Sequence, residues 1–197
     1  MHTKPAISSV PLHDIIGNRW SPRSFDSNKA IDDPTLTALL EAARWAPSCF
    51  NDQPWRFVVC RKQEDQAAWN KLLGCLGEKN QLWAKNAPIL ILSVAMHNFG
   101  HNDKPNRWAP FDTGAACVSL CLQATAMGLV THQMGGFDAE LSRQIFKLPD
   151  TCTPMSVVAI GYQAEAEQLS DDLKQTELSE RTRKPLHERF YFGSWEE

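Results

Sequence analysis

The pattern of apolar and polar positions predicts a chain in which helices and strands interleave. Apolar residues between positions 36 and 43 recur at helical spacing and form one stripe, which predicts a helix. Asp33 and Pro34, directly before the stripe, are a helix-start signal with Asp33 as the N-cap residue. Pro47 is expected to end this helix because proline cannot continue the hydrogen-bond ladder.

Similar patterns predict the remaining elements. Further helices are predicted over residues 11–18 and 64–76, from Asp112 to about residue 127 near Gly128, and from Asp138 to a point before Pro149. Strands are predicted where apolar, β-branched or aromatic residues run together, over residues 55–60, 89–94 and 156–162. Because no repeat, low-complexity segment or linker interrupts the pattern, residues 1–197 are expected to form a single domain of mixed α and β class.

Composition and charge narrow the classes of function. The 197 residues are enough for one well-buried core, and 43% hydrophobic and 22% charged residues are ordinary for a soluble globular protein. A net charge of −3 gives no basic footprint for nucleic acid and no strong attraction to a membrane surface. The longest apolar-rich stretch, residues 111–130, includes Asp112, Ser119 and Gln123, so it predicts a buried helix and not a membrane span.

The cysteines and the first residues indicate the cellular compartment. The start of the chain lacks the apolar run of a signal peptide. The six cysteines include no C-x-x-C pair, which favours reduced thiols. We therefore expect a cytoplasmic protein that has neither nucleic acid nor a membrane as a partner.

Two arginine-rich segments could hold an anion. Arg19 and Arg23 flank Ser21, and guanidinium groups with a hydroxyl suit a phosphate because they give charge-assisted hydrogen bonds. The alternative is a solvated basic loop. Arg181 and Arg183 near the end of the chain form a second pair, for which the alternative is a charged tail.

Two further segments could contact a flat heterocycle. Between the predicted helix and strand, Ser48, Asn51 and Gln53 could donate or accept hydrogen bonds, or could simply satisfy their own turn. Gly135 and Gly136 would allow the backbone to approach a ligand without a Cβ atom in the way. Taken singly, an ordinary loop is the better interpretation of each.

His97 and His101 lie four residues apart with Asp103 close by, which resembles metal-ligand spacing. The segment contains Gly100 and has the composition of a loop, so a preformed metal site is not expected. A contact with the substrate is the preferred hypothesis for this region.

Taken together, the order of these segments resembles the FMN-dependent nitroreductase family. The motifs are R-x-S-x-R-x-F at 19–25, A-P-S-x-x-N-x-Q-P-W at 46–55, D-T-G-A-A at 112–116, M-G-G-F-D at 134–138 and R-x-R-x-P at 181–185. The resemblance covers residues 19–185, and the second motif is its most specific part. Each motif alone is a weak signal, whereas five in the right order are a strong one.

The resemblance implies an α+β fold, a three-layer α/β/α sandwich, in an intertwined homodimer that binds FMN at the interface. In this family the phosphate is held by the residues matching Arg19, Ser21, Arg181 and Arg183, and Arg23 lies near the pyrimidine side of the flavin. The turn at 47–49 reaches the FMN of the other subunit, and Asn80 bonds the ring edge. The implied cofactor-binding set is Arg19, Trp20, Ser21, Arg23, Pro47, Ser48, Cys49, Asn51, Gln53, Asn80, Met134, Gly135, Gly136, Arg181 and Arg183.

The same resemblance implies an oxidoreductase. NADH or NADPH would reduce FMN, and a nitroaromatic, quinone or similar electron-poor acceptor would then take the electrons in a ping-pong reaction. No side chain is expected to act as a catalytic residue, and Phe99 and Trp108, in a mobile cover at 97–110, are the expected substrate contacts. The alternatives are a specialised relative, such as a reductive dehalogenase or an oxidase, and a flavin-binding or storage protein with little turnover.

Overall fold

The computed structural model describes residues 2–195 and contains one four-stranded antiparallel sheet. The strands are β1 (Trp55–Arg61), β2 (Ile89–Met96), β3 (Val130–Met134) and β4 (Cys152–Gly161), in the order β1-β2-β4-β3. The α-helices are α1 (Asp14–Asn18), α2 (Asp33–Arg44), α3 (Gln66–Cys75), α4 (Glu78–Ala84), α5 (Ala109–Ala126), α6 (Ala139–Phe146) and α7 (Asp171–Leu178). The order places β1 and β3 at opposite edges of the sheet.

The central strand β2 shows why both faces of the sheet are covered. All but the last of its residues are buried, as expected for a continuous apolar run. Because side chains alternate between faces along a strand, Leu90 and Leu92 enter one core cluster while Ile89 and Ile91 enter the other. Apolar helices are therefore required on both sides.

Helices cover both faces of the sheet, so the fold has three layers. On one face, α3 and α4 bury Trp69, Leu72 and Trp83 against the sheet. On the other, α2 and α5 pack together and bury Leu39 and Leu120. This confirms the predicted three-layer α/β/α sandwich of the α+β class.

The predicted helix ends are partly wrong. The N-cap of α2 is Asp32, whose carboxylate accepts a hydrogen bond from the Thr35 N–H, and Asp33 is the first helical residue. Helix α5 begins at Ala109, so Asp112 lies inside its first turn and does not cap it. Asp138 does cap α6, as predicted, by accepting from the Leu141 N–H.

Three elements are absent from the sequence-based prediction. They are β3, α4 and α7. The edge strand β3 is short and contains the polar residues His132 and Gln133, which hide its alternation. Helix α7 is mostly polar, and its one buried residue is Glu177.

Helix α5 is the longest helix and the expected buried one, and it carries Asp112 and Thr113 as buried polar residues. Within residues 2–195, no helix combines the length and the apolar character needed to cross a membrane.

Candidate functional site

A polar pocket of about 310 Å³ brings together five residues that the sequence predicts for a phosphate. These residues come from two segments about 160 positions apart, which the fold places side by side. The residues that line the pocket are Lys4, Arg19, Trp20, Ser21, Arg23, Ser179, Glu180, Arg181 and Arg183.

The arginines of the pocket differ in their hydrogen-bond partners. Arg19 donates from Nη1 to the Ser21 hydroxyl at 3.4 Å. Arg181 donates from Nη1 and Nη2 to the backbone carbonyls of Arg19 and Gly17, so this side chain ties the two segments together. Arg183 is exposed and bonds only the carbonyl of Thr182, at 2.8 Å, which leaves most of its donors available to a ligand.

The crowding of positive charge in this pocket acts on the pKa of Arg181. Burial lowers the pKa of its guanidinium, and the nearby charges of Arg19 and Arg183 lower it further. Like charges held together at the surface of a pocket favour an anionic ligand, because an anion relieves their repulsion.

A buried carboxylate fixes the backbone of the first segment. Glu177 on α7 accepts hydrogen bonds from the Arg23 N–H at 3.0 Å with both oxygens, and from the Ser24 N–H at 3.2 Å with Oε1. This residue holds the turn that presents Arg23 and Ser21. The sequence gives no signal for it, because a glutamate on a polar helix normally faces solvent.

A second group of predicted residues meets beyond the end of β3. The Gly136 carbonyl accepts from the Gly77 N–H at 2.9 Å and from Asn80 Nδ2 at 3.1 Å. A Cβ atom on Gly136 would lie 3.2 Å from Asn80 Nδ2, so a larger residue would displace Asn80. Gly135 is exposed and has open space around it. The Met134 side chain, by contrast, is buried in the core, so only its backbone faces this group.

His132 on β3 connects the two groups. Its Nδ1 lies 3.1 Å from the Pro22 carbonyl, and its ring centroid lies 4.5 Å from that of Trp83. Strand β3 ends at Met134, two residues before Gly136. The phosphate pocket, reached through His132, and the Asn80–Gly136 contact therefore both adjoin this edge strand of the sheet.

His132 was missed by the sequence analysis, and it is neutral near pH 7. Burial lowers its pKa to about 4, with smaller contributions from the charges of Arg23 and Arg19, while hydrogen bonds from the ring to the backbone of Pro22 and Ser21 oppose the shift. Because Nδ1 faces a carbonyl oxygen, the proton of the neutral ring is on Nδ1.

The turn before β1 is built largely on its own hydrogen bonds. The Ser48 hydroxyl accepts from the Gln53 N–H at 3.0 Å, and Gln53 Nε2 donates to the Asn51 carbonyl at 3.0 Å. The Cys49 N–H donates to Asp112 Oδ2 at 3.0 Å, which explains why Asp112 is buried in α5. Most of these hydrogen bonds therefore stay within the turn, as expected if the polar residues stabilise an ordinary turn. Pro47 and Cys49 are neighbours of Ser48 in the same segment.

The same turn is strained and exposes an aromatic ring. Phe50, Asn51 and Gln53 have φ angles of 54°, 54° and 50°, in the left-handed region that L-residues avoid. The Phe50 side chain is 81% exposed. Strain that holds an apolar ring in solvent serves no purpose in packing this chain, so it indicates a functional surface.

The segment at 97–110 is irregular, as predicted, but hydrogen bonds hold it in place. Asp52 accepts from the Gly100 N–H at 2.8 Å and from Asn106 Nδ2 at 3.0 Å, which clamps the segment to the turn before β1. The Phe99 N–H also donates to the Lys104 carbonyl at 2.8 Å. These contacts do not favour the expected mobile cover.

The two predicted substrate residues have different surroundings. The rings of Phe50, Phe99 and His101 have centroids 5.3–5.9 Å apart and form one aromatic cluster. Trp108 is 43% exposed at the start of α5 and lies 4.7 Å from the Arg107 guanidinium. His101 lies in the region for which the sequence predicts a substrate contact. Phe50 was not predicted, because the sequence gives no sign that this ring is exposed.

The two halves of the predicted site adjoin opposite edge strands of the sheet. The phosphate pocket and Asn80 adjoin β3, whereas the turn at 47–53 leads into β1, at the other edge. Three strand spacings, about 14 Å, separate these edges.

Within residues 2–195, no three His, Cys, Asp or Glu side chains lie close enough to hold a metal ion. His97 Nε2 instead lies 2.8 Å from the Thr153 hydroxyl.

Comparisons with known proteins identify the family and the fold of this chain. A model of the Nitroreductase family matches residues 16–162. A crystal structure of an oxidoreductase containing FMN superposes with a TM-score of 0.89 at 35% identity, covering 100% of this chain and 98% of the other. A nitroreductase family protein from Clostridium difficile 630 has a TM-score of 0.71 at 24% identity, covering 94% and 99%, and supports the fold alone. A candidate NADH dehydrogenase/NAD(P)H nitroreductase from Methanothermobacter thermautotrophicus is 26% identical over 171 residues, covering 84% of each chain.

Proposed function

Because the chain belongs to the Nitroreductase family, we propose that it is an FMN-dependent oxidoreductase that reduces nitroaromatic, quinone or similar electron-poor acceptors with NADH or NADPH. The observation that carries this proposal is the convergence of Arg19, Ser21, Arg23, Arg181 and Arg183 on one pocket. Segments that are distant in sequence form this positive pocket.

The donors in this pocket fit the phosphate of FMN. That phosphate is close to doubly charged at neutral pH, and charge-assisted bonds from guanidinium groups can fill its oxygens. Within residues 2–195, Arg19 and Arg183 have donors directed to no acidic partner, and Ser21 adds a hydroxyl. Arg181 contributes its charge while its terminal nitrogens bond the backbone.

The edge beside β3 fits the flavin ring. Asn80 is positioned by its bond to the Gly136 carbonyl and offers the rest of its amide to a ring edge. Gly135 and Gly136 allow a flat ring to approach the backbone. Arg23, whose backbone is fixed by Glu177, supplies positive charge on the pyrimidine side.

FMN, when bound, supplies the redox chemistry by accepting two electrons from NADH or NADPH and passing them to the acceptor. The side chains bind and orient it, and none is needed as a nucleophile. Donor and acceptor use one space in turn, which gives a ping-pong reaction.

We also propose a homodimer that completes each site with the partner's turn at 47–53. The turn and the phosphate pocket adjoin opposite edge strands of the sheet, which supports the partner chain as the source of the turn at each site. Several large apolar side chains are also exposed: Trp45 is 75%, Phe111 74% and Phe192 99% accessible. These exposed rings support the proposed interface.

We also propose that the chain is a single domain and that it is cytoplasmic. The core clusters on the two faces share one sheet, which supports a single domain over the chain. All six cysteines are free thiols, and this supports the proposed cytoplasmic location.

The test is to purify the protein, titrate it with FMN and mix the complex with NADPH or NADH in a stopped-flow instrument without oxygen. We expect a yellow protein with one FMN per chain and fast bleaching of the flavin, followed by recovery when an acceptor is added. Tight binding without bleaching would favour the flavin-storage alternative. If the chain is colourless after incubation with FMN and removal of the excess, the proposal is refuted. A panel of acceptors that includes halogenated aromatics and oxygen separates the reductase from a dehalogenase or an oxidase.

A further inference from the structure

The first residues of the described chain border the phosphate pocket through Lys4, outside the part matched by the family model. Residues 2–6, here called the N-terminal strap, precede α1 and the match at 16–162. Two backbone contacts hold the strap: Gln163 Nε2 donates to the His2 carbonyl at 2.8 Å, and the Ala6 N–H donates to the Gly17 carbonyl at 2.8 Å. The strap is therefore built into the fold.

Lys4 is the charged residue of the strap, and it lines the same pocket as the arginines. Its Nζ donates to the Thr176 carbonyl at 3.2 Å and lies 4.8 Å from the centroid of the Trp20 ring. An ammonium group has three donors. One is used by Thr176, and the other two are available at the pocket.

The charges around Lys4 are those of the phosphate pocket. Burial lowers the pKa of Lys4, the charge of Glu177 raises it, and the charges of Arg23 and Arg181 lower it. The carboxylate of Glu177 is shared, because its oxygens also accept from the Arg23 and Ser24 N–H groups. Lys4 therefore belongs to a cluster with more cations than acids, and an anion in the pocket would draw it inward.

We propose that Lys4 is a further phosphate-binding residue and that the N-terminal strap completes the FMN phosphate pocket. The role of Lys4 rests on the proposed FMN function. The ammonium group would add one charge-assisted bond to a phosphate oxygen, and the bound phosphate would in turn hold the strap in place. The competing explanation is that Lys4 only anchors the strap to Thr176 and Trp20.

The experiment compares FMN with riboflavin, which lacks the phosphate, in titrations of flavin-free protein followed by flavin fluorescence. The variants are Lys4→Gln, Lys4→Arg and the matched control Lys71→Gln, which removes an exposed lysine from α3. We expect Lys4→Gln to weaken FMN roughly 10- to 100-fold while riboflavin changes less than about twofold. Lys4→Arg should restore most of the affinity, and Lys71→Gln should have no effect.

A second measurement needs no variant. Hydrogen exchange at the Ala6 N–H of the wild-type protein should slow when FMN binds and should not slow when riboflavin binds.

Other outcomes overturn the role of Lys4. An unchanged FMN affinity in Lys4→Gln, or an equal loss for FMN and riboflavin, would mean that Lys4 is a structural anchor. If the wild-type chain itself binds neither flavin, or does not prefer FMN over riboflavin, the proposed function fails independently of Lys4.

Discussion

At the scale of single residues, the arginines of the phosphate pocket have different roles although the sequence gives them the same one. The Arg181 guanidinium bonds the carbonyls of Gly17 and Arg19, so it links the end of the chain to the first phosphate segment. Arg183 lies two positions further on and is exposed. Removing a residue that bonds the backbone and removing one that is open to ligand should therefore have different effects on flavin binding and stability.

We therefore expect Arg183→Ala and Arg181→Ala to separate in a comparison of FMN with riboflavin. Losing Arg183 removes one charge-assisted bond of about 1.5–3 kcal/mol, so FMN should bind roughly 10- to 150-fold more weakly with little change for riboflavin. Losing Arg181 should weaken both flavins and lower the melting temperature, because the part-buried Arg19 and Gly17 carbonyls lose the hydrogen bonds that link them to the end of the chain. If Arg183→Ala affected both flavins equally, its assignment to the phosphate would be wrong.

His132 makes stability depend on pH in a defined window. Its pKa is lowered, chiefly by burial, from 6.5 to about 4 in the folded chain. Between these values the unfolded chain takes up a proton that the folded chain does not, so stability falls as the pH falls from about 6.5 to about 4. Above pH 6.5 both states are neutral at this residue, and its contribution is constant.

The measurement is urea unfolding of the flavin-free protein at pH 7 and at pH 4.5. The wild type should lose more stability between these values than His132→Gln, by an amount on the order of 2–3 kcal/mol. Glutamine keeps an N–H donor for the Pro22 carbonyl and does not titrate. Equal pH slopes in the two proteins would show that His132 is accessible to protons in the folded state.

Sequence reasoning found the residues of the site that occur in short motifs and missed those that act from elsewhere. Arg19, Ser21 and Arg183 could be named because motif order identifies them. Glu177 could not, since its role depends on α7 placing a carboxylate against the Arg23 backbone. Lys4 could not either, because its position depends on the path of the strap.

At the scale of elements, the turn at 49–53 and the loop at 97–106 behave as one unit. Asp52 joins them with two hydrogen bonds, and its side chain is only 6% exposed. The result is a fixed aromatic cluster of Phe50, Phe99 and His101. An aromatic surface of this kind suits a flat acceptor, because offset stacking adds about 0.5–1.5 kcal/mol to its binding.

We expect Phe50→Ala to lower kcat/KM for nitroaromatic and quinone acceptors by roughly 3- to 10-fold. Ferricyanide, a small acceptor without a ring, should be reduced at the wild-type rate, and FMN affinity should change less than twofold. Trp108→Ala is the comparison, since Trp108 lies outside the cluster, and it should have a smaller effect. A general loss of activity with all acceptors would assign Phe50 to folding or to the dimer instead.

The elements that the sequence predicts best are those whose apolar pattern is complete. The sequence predicts β2 because its apolar run is continuous, and all but the last residue of the strand are buried. It predicts α2 because the apolar stripe of this helix is unbroken. Strand β3 and helix α7 were missed because polar residues that make tertiary contacts, His132 and Glu177, occupy their buried positions. Elements that carry the site thus have the weakest local pattern.

At the scale of the whole molecule, the sheet separates two surfaces that the proposed reaction requires together. The phosphate pocket lies beside β3, and the strained turn and aromatic cluster lie before β1. A symmetric dimer solves this problem, because the turn of each chain can cover the flavin of the other. The expected mass in light scattering is then about 44 kDa, twice the 22.2 kDa of the chain.

Mixing two differently damaged chains tests whether each site is shared. Arg19→Ala/Arg183→Ala removes phosphate binding, and Cys49→Trp places a bulky ring where the turn should meet the partner's flavin. Each homodimer should bind FMN poorly. A mixed dimer has one site that carries both defects and one that carries neither, so a tagged and purified mixed dimer should bind one FMN and recover about half of the wild-type activity. If each chain contained a complete site, every site in the mixture would keep one defect, and no FMN binding would be recovered at any mixing ratio.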